Sequence, residues 1–415
     1  MADRDPNRIV IVGAGECAAR AVVALRDRRF EGSIELVGDE QLAPYERPPL
    51  SKSAIIADSE PLPVTVLSTE RMAELDVSFR AGRTVTAVDR VGRTVVLDDA
   101  STLGFDRLLL ATGATARALT IPGGQHALTL RAYGDSLVLR KAFTPGVRVG
   151  VIGAGFIGLE LAAGARQRGA IVTVLEAGPT AMGRAVPPEI ADVLVKRHAL
   201  EGVDLRFGVS IERIETFADG QRRIICDAAT GDIDCDIVVA GIGARPNIDV
   251  AVGAGLNVAN GIAVDEYLCT NDPDIFAAGD CCSFPHPLYG GRRIRLEAWR
   301  NALDQGACAA VNMLGAQQVY GAVPWFWSDQ YDLGLQIAGL PDAAVTDIVR
   351  ERSDGASVRF GLDSDGRIVS ACGVAPGTTI GRDIRLAEMM IAARLKPSPV
   401  DLRDPSIKLK QLLSI

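Results

Sequence analysis

Apolar residues along this chain fall into two rhythms. Short unbroken runs bounded by glycine or an acid read as strands buried on both faces: Arg8–Gly13, Ile34–Val37, Leu108–Gly113, Val147–Ile152, Ile171–Leu175, Val238–Gly243 and Asp274–Asp280. Between them lie helical stretches, Ala18–Leu25, a second ending near Ala165 where Gly169 follows, and the alanine-rich Asn301–Leu314. Val85–Asp89 and Thr94–Leu97 alternate as a hairpin. After Gly321 the texture changes. Leu333–Ala338, Val345–Val349, Ser357–Leu362 and Ile368–Val374 alternate as antiparallel strands, with an Asp365-Gly366 turn, and Arg382–Arg394 has helical spacing. The pattern predicts an α/β chain with two Rossmann-like dinucleotide-binding domains and a C-terminal α+β domain.

The glycines carry the first chemistry. Ile11–Ala18 and Val151–Gly158 each run from an apolar strand through glycines into a helix. A side chain there would keep the backbone from a pyrophosphate, and the helix start offers free N–H groups to that anion. Gly13, Gly15 and Ala18 match G-x-G-x-x-A; Gly153, Gly155 and Gly158 match G-x-G-x-x-G, with Phe156 and Ile157 between. Two such loops imply two dinucleotides. Each is followed, at the end of the next strand, by an acid: Asp39 for the first and Glu176 for the second. Either carboxylate would accept ribose hydroxyls, and at the second site it would repel a 2′-phosphate, so Glu176 favours NADH over NADPH. Arg184, nearby, is the competing residue, because it could bind that phosphate.

Length and charge narrow the field. A chain of 415 residues exceeds one ordinary core. A net charge of −8 argues against nucleic acid as the main partner. No apolar run approaches a membrane span, and the polar stretch before Ile9 lacks a signal core, so neither a membrane nor an export route is expected and the expected location is cytoplasmic. The eight cysteines show no C-x-x-C spacing, so no metal is expected.

Other candidates rest on local chemistry. The proline-rich Ala43–Lys52 stretch reads as rigid and extended at its start, and carries Arg47 and Lys52, either as fixed cations beside a cofactor or as solvated surface charges. Ala111-Thr-Gly113 and Gly243 end buried strands in small residues suited to close ligand approach. Gly279-Asp280 closes another strand, where an aspartate could receive a polyol chain or simply form a turn. Trp325-Phe-Trp327 is an aromatic cluster that serves as core or as the wall of a redox site.

Taken together, the two loops in this order resemble the two-dinucleotide-binding flavoprotein family that includes glutathione reductase. Within it, Pro44–Lys52, Ala111-Thr112-Gly113, Gly279-Asp280 and Trp325-Phe-Trp-Ser-Asp-Gln330 are similar to the FAD-containing, NADH-dependent ferredoxin reductases of oxygenase systems. That resemblance implies an FAD-binding domain at 1–115 and 245–320, an NADH-binding domain at 116–244, and a C-terminal domain at 321–415. Gly13, Gly15 and Cys17 would meet the FAD pyrophosphate, Asp39 the adenosine ribose, and Val85 and Arg131 the adenine end. Asp280 would take the ribityl chain. Lys52 would lie near flavin N5, with Trp299 on the isoalloxazine or nicotinamide; Arg47, Ala111–Gly113, Gly279 and Trp327 complete the site. Glu160 would lie near the nicotinamide amide with Glu297 close by, so Lys52, Glu160 and Glu297 are the catalytic candidates.

Disulfide reductases of this superfamily carry paired cysteines beside the flavin, and peroxidase relatives carry one. The stretch Ala43–Ile56 has neither. The resemblance therefore implies electrons passing from NADH to FAD and then singly to a [2Fe-2S] ferredoxin. That ferredoxin would feed a terminal oxygenase, a ring-hydroxylating dioxygenase before a haem monooxygenase. Arg292, Arg293, Arg295 and Arg300 are candidates for an acidic partner's docking patch, or else ordinary solvated arginines. The alternatives are an NADH oxidase or peroxidase and a redox-sensing flavoprotein.

Overall fold

The computed structural model describes residues 6–183 and 185–414. Contacts divide the chain into two compact units. One runs through Glu46 and includes Pro63–Thr115 and Arg245–Ala322; the other comprises Arg47–Leu62, Ala116–Ala244 and the chain from Val323 onward.

The first unit is built on a five-stranded sheet. Its order is Ile275–Ala277, Arg107–Leu110, Arg8–Val12, Ser33–Gly38 and Val77–Ala81, every neighbouring pair parallel. Ile9, Val10 and Ile11 are fully buried because a parallel strand is covered on both faces. Each such aliphatic side chain contributes about 1.5–3 kcal/mol by leaving water. The helices Glu16–Asp27 and Trp299–Met313 pack closely, because Gly306 has no side chain: a Cβ there would sit 2.2 Å from the Cys17 carbonyl oxygen. Val85–Asp89 and Thr94–Leu97 pair antiparallel, and Thr102–Gly104 joins them as a third strand.

In the second unit the central sheet has the order Asp204–Phe207, Ile171–Glu176, Arg148–Ile152 and Ile237–Ala240, again all parallel. A three-stranded antiparallel sheet, Ile211–Thr216, Arg222–Cys226 and Ile233–Cys235, accompanies it. A five-stranded antiparallel sheet follows the chain past Val323, in the order Trp325–Gln330, Leu333–Gly339, Ile368–Pro376, Ser357–Leu362 and Thr346–Glu351. Leu335, Ile337, Cys372 and Val374 of this sheet share one core with Ile55, Leu159 and Leu194. That shared core is why the last ninety residues do not separate from the middle of the chain.

The proline-rich stretch is extended at its start, where Tyr45 bridges Thr65, and curls after Arg47. Pro48–Ser51 makes one tight turn, and Ser53–Ile56 a short helix. Proline at the first positions of a turn loses no hydrogen bond, so the same residues that stiffen an extended chain also start a helix. The Pro188–Leu200 helix carries a readable signal, prolines at its start and Ile190, Ala191, Leu194 and His198 on one buried face, that sequence reasoning passed over, whereas the Ile233–Cys235 strand is too short to show a period.

Candidate functional site

In the first unit the Arg8–Val12 strand turns into the Glu16–Asp27 helix through Gly13 and Gly15. Gly13 adopts φ +104°, and a Cβ on it would lie 2.1 Å from the Ala111 carbonyl oxygen. Gly15 is the residue that starts the helix; no side chain caps that end, and a Cβ there would enter open space. A helix end with uncapped N–H groups facing an open backbone fits a pyrophosphate. Cys17 is buried within this helix start, and burial raises its thiol well above the ordinary value, so it is neutral there and packs without charge. Asp39 is exposed just past the Ser33–Gly38 strand.

Small-residue turns assemble around this loop. Asn247 donates from Nδ2 to the Thr112 carbonyl at 2.9 Å while the Thr112 hydroxyl donates to the Asn247 carbonyl at 2.6 Å, which fixes the Ala111–Gly113 turn. The Gly279 N–H donates to Gln305 Oε1 at 2.8 Å, with Gly279 at φ +81° and Asp280 opening a tight turn. Trp299 begins the last helix of the unit and donates its indole N–H to Glu16 at 3.1 Å. Burial raises the Glu16 carboxyl above its usual range, and the Trp299 bond opposes that shift. Glu297 pairs with Arg295 at 2.6 Å. Val85 is buried in its strand.

The arginines offered as a docking patch are partly spent on the protein itself. Arg293 donates to the carbonyls of Ser283 and Val264, and Arg295 to that of Asp280. Arg300 lies 3.9 Å from Asp304.

The second unit repeats the loop with tighter packing. Gly153 adopts φ +101°, and a Cβ on it would meet the Gly241 carbonyl oxygen at 2.6 Å. A Cβ on Gly158 would lie 2.0 Å from the Gly153 carbonyl oxygen, so the helix can approach the strand only with glycine there. Gly155 leaves the Phe156–Gln167 helix end uncapped. Phe156 is half-buried and Ile157 exposed. Glu176, at the end of its strand, accepts the Ala154 N–H on Oε2 and the Gly178 N–H on Oε1, both at 2.7 Å. The carboxylate therefore holds the glycine loop in shape and keeps lone pairs for ribose hydroxyls. Gly243 adopts φ +95°. Arg184 lies outside the described residues.

One turn into that helix stands Glu160, 3% exposed in an otherwise apolar sequence. Its carboxylate is surrounded. Lys52 Nζ lies 3.0 Å from Oε1, the Ser328 hydroxyl donates to Oε1 at 2.6 Å, and the Ser51 hydroxyl donates to Oε2. A buried carboxylate is retained only when it is paired and hydrogen-bonded in this way. Lys52 also lies 5.5 Å over the Trp327 ring, and Trp325 and Trp327 stack at 5.3 Å. Arg47 donates to the Arg131 carbonyl at 2.6 Å, while the N–H groups of Arg131 and Ala132 donate to Asp135.

The structure thus joins Lys52, Glu160 and Trp327, and it adds Ser51, Ser328 and Gln330, which sequence reasoning passed over. The signal was present for the last two. Residues 328 and 330 share one face of a strand, and a polar pair on a buried face needs partners.

All eight cysteines are free. Cys281 and Cys282 are fully buried, and burial raises both thiols, so neither is a thiolate at neutral pH. A Cys281→Ser, Cys282→Ser double variant is expected to keep NADH-supported electron transfer within about twofold of the parent, since a neutral buried thiol is inert. A stopped-flow comparison checks this; loss of the electron output with normal cofactor content would assign those thiols a redox role. Among the described residues no cluster of His, Cys, Asp and Glu could hold a metal, and no helix is long and apolar enough to cross a membrane.

Two uncapped helix ends, each preceded by a glycine at positive φ and followed by a strand-end acid, define an oxidoreductase built on two dinucleotides. Residues 7–306 match the pyridine nucleotide-disulphide oxidoreductase model and residues 325–413 the reductase C-terminal model. The chain belongs to the pyridine nucleotide-disulphide oxidoreductase family. It is 41% identical to the anthranilate 1,2-dioxygenase system ferredoxin–NAD(+) reductase component of Burkholderia cepacia, covering 97% of this chain and 98% of that protein. It is 38% identical to rhodocoxin reductase of Rhodococcus erythropolis, covering 97% and 93%. The solved covalent putidaredoxin reductase–putidaredoxin complex matches with TM-score 0.92 at 33% identity, covering 98% of each chain. The protein is an oxidoreductase that uses FAD and NAD(H).

Proposed function

We propose that this protein is the NADH-dependent reductase that supplies single electrons to a [2Fe-2S] ferredoxin of an oxygenase system, a ring-hydroxylating dioxygenase before a haem monooxygenase. The observation that carries this reading is 41% identity, across nearly the whole of both chains, to a protein named as a ferredoxin–NAD(+) reductase component of a dioxygenase system. Bound FAD would supply the conversion of one hydride from NADH into two separate electrons.

The chain's own residues have three tasks. Gly13 and Gly15 open the backbone for the FAD pyrophosphate, with Cys17 packing beside it, Asp39 for a ribose, and Asp280 for the ribityl chain. Val85, Arg47, Arg131, Ala111–Gly113, Gly279, Trp299 and Trp327 complete that site. Gly153, Gly155, Phe156, Ile157 and Gly158 receive the NADH pyrophosphate, with Glu176 selecting the unphosphorylated ribose and Gly243 beside it. Lys52, Glu160 and Glu297 act where hydride passes. The Lys52 ammonium opposes the negative charge that arrives with the hydride, and Glu160 keeps that ammonium fixed, a preorganised charge rather than a proton donor.

On this reading residues 1–115 with 245–320 form the FAD domain, 116–244 the NADH domain and 321–415 the C-terminal domain. The free thiols fit a reducing compartment, so the proposed location is cytoplasmic.

The test is NADH-supported cytochrome c reduction with a panel of purified [2Fe-2S] ferredoxins. A cognate ferredoxin is expected to raise the rate about a hundredfold or more, as productive docking replaces chance encounter. No response across ferredoxins from both dioxygenase and haem-monooxygenase systems would reject the reading.

A further inference from the structure

Behind Glu160 the second unit contains a run of buried polar side chains that the proposed reaction does not use. Ser328 is 0%, Gln330 1% and His198 0% exposed. Ser328 Oγ lies 2.6 Å from Glu160 Oε1, Gln330 Nε2 lies 3.1 Å from Ser328 Oγ, and His198 Nε2 lies 2.9 Å from Gln330 Oε1. Tyr331 Oη lies 3.4 Å from His198 Nδ1 and its ring meets the imidazole edge-on at 5.0 Å.

The hydrogen positions in this run follow from one contact, the pairing of the Glu160 carboxylate with the Lys52 ammonium at 3.0 Å. A carboxylate only accepts, so the single Ser328 proton points at Glu160. Ser328 must then accept from its other neighbour, and Gln330 must present its NH₂ to it. Gln330 therefore turns its carbonyl towards the imidazole, and His198 must carry its proton on Nε2. Burial lowers the imidazole below its ordinary pKa, opposed by the Gln330 hydrogen bond, with the smaller charges of Arg197 and Glu201 acting in opposite directions; Nδ1 of the neutral ring is then the acceptor for Tyr331. Every bond in the run donates towards Glu160. An amide in the middle makes it a poor proton conductor, but an aligned chain of donors fixes a carboxylate well.

We propose that Ser328, Gln330 and His198 form one hydrogen-bonded unit that positions Glu160, and through it Lys52, for hydride transfer. This rests on the reading of Glu160 and Lys52 as groups at the nicotinamide side. The three are positioning residues, acting through Glu160 rather than on the cofactor.

The test uses the FAD-loaded enzyme labelled with ¹⁵N-histidine, in which only three histidines give signals. In the parent, His198 is expected to show a protonated Nε2 and a bare Nδ1 at neutral pH, and Glu160→Gln is expected to move both resonances although it lies three hydrogen bonds away. His198→Leu is expected to slow flavin reduction by NADH about tenfold with NADH affinity within about twofold, while His198→Gln, which restores an N–H donor, recovers most of the rate. Gln330→Leu should reproduce His198→Leu.

A proton on Nδ1, His198 signals unmoved by Glu160→Gln, or equal rates in His198→Leu and His198→Gln would each overturn the proposal. If the His198 signals respond but Glu160→Gln reduces its flavin at the parent rate, the hydrogen-bonded unit stands and the placement of Glu160 at the nicotinamide falls.

Discussion

Glu176→Arg is expected to lower kcat/KM for NADH about a hundredfold and to make NADPH the better donor. The parent carboxylate accepts two backbone N–H groups, from Ala154 and Gly178, at 2.7 Å each. Losing both charge-assisted bonds costs about 3 kcal/mol, or about a hundredfold, because the loop that receives the pyrophosphate loses its brace. The arginine also replaces a repulsive charge with an attractive one at the ribose 2′ position. Steady-state kinetics with both nucleotides provide the check, and FAD content serves as the control, since Gly13 and Gly15 lie in the other unit. Undiminished preference for NADH would remove Glu176 from the specificity role.

Gly13→Val is expected to yield protein that loses its flavin colour on purification, with FAD affinity lowered by about 10²–10⁴. Two costs combine. A β-branched side chain at φ +104° is strained, and its Cβ would have to displace the Ala111 carbonyl, now 2.1 Å from that position. Backbone strain of about 1–3 kcal/mol and overpacking of similar size account for that range. The NADH half should survive, so nucleotide binding measured by fluorescence is expected to stay within about threefold of the parent, as for distant independent sites. Retention of stoichiometric FAD would contradict the assignment of the first loop.

The two Rossmann-like sheets were legible because their signal is local. A strand, two glycines and a helix lie within Arg8–Asp27 and again within Arg148–Gln167, and the physics of each loop is complete in that window. Glu176 was legible for the same reason. Glu160 was reached only through the family resemblance, and its partners were not. Ser51 and Ser328 come from distant stretches, and only folding brings them to one carboxylate, with His198 three hydrogen bonds behind it. The three-stranded sheet of Ile211–Thr216, Arg222–Cys226 and Ile233–Cys235 was missed because its apolar residues do not alternate: Ile211 and Ile214 stand three apart across a bulge, and Ile224 and Ile225 are adjacent. The arginines near residue 300 stood open between a docking patch and ordinary solvated charges. Sequence counts charges, whereas the fold decides which of them already serve a carbonyl or a carboxylate.

The central claim is that electrons enter from NADH and leave one at a time to a ferredoxin without a protein thiol in between. Anaerobic rapid mixing tests it most directly. Enzyme reduced by one equivalent of NADH is mixed with excess oxidised [2Fe-2S] ferredoxin, and both chromophores are followed. The account predicts full return of the oxidised flavin spectrum with two ferredoxins reduced per NADH, unchanged in the Cys281→Ser, Cys282→Ser variant. Flavin that stays reduced until oxygen is admitted, with the ferredoxin still oxidised, would contradict it.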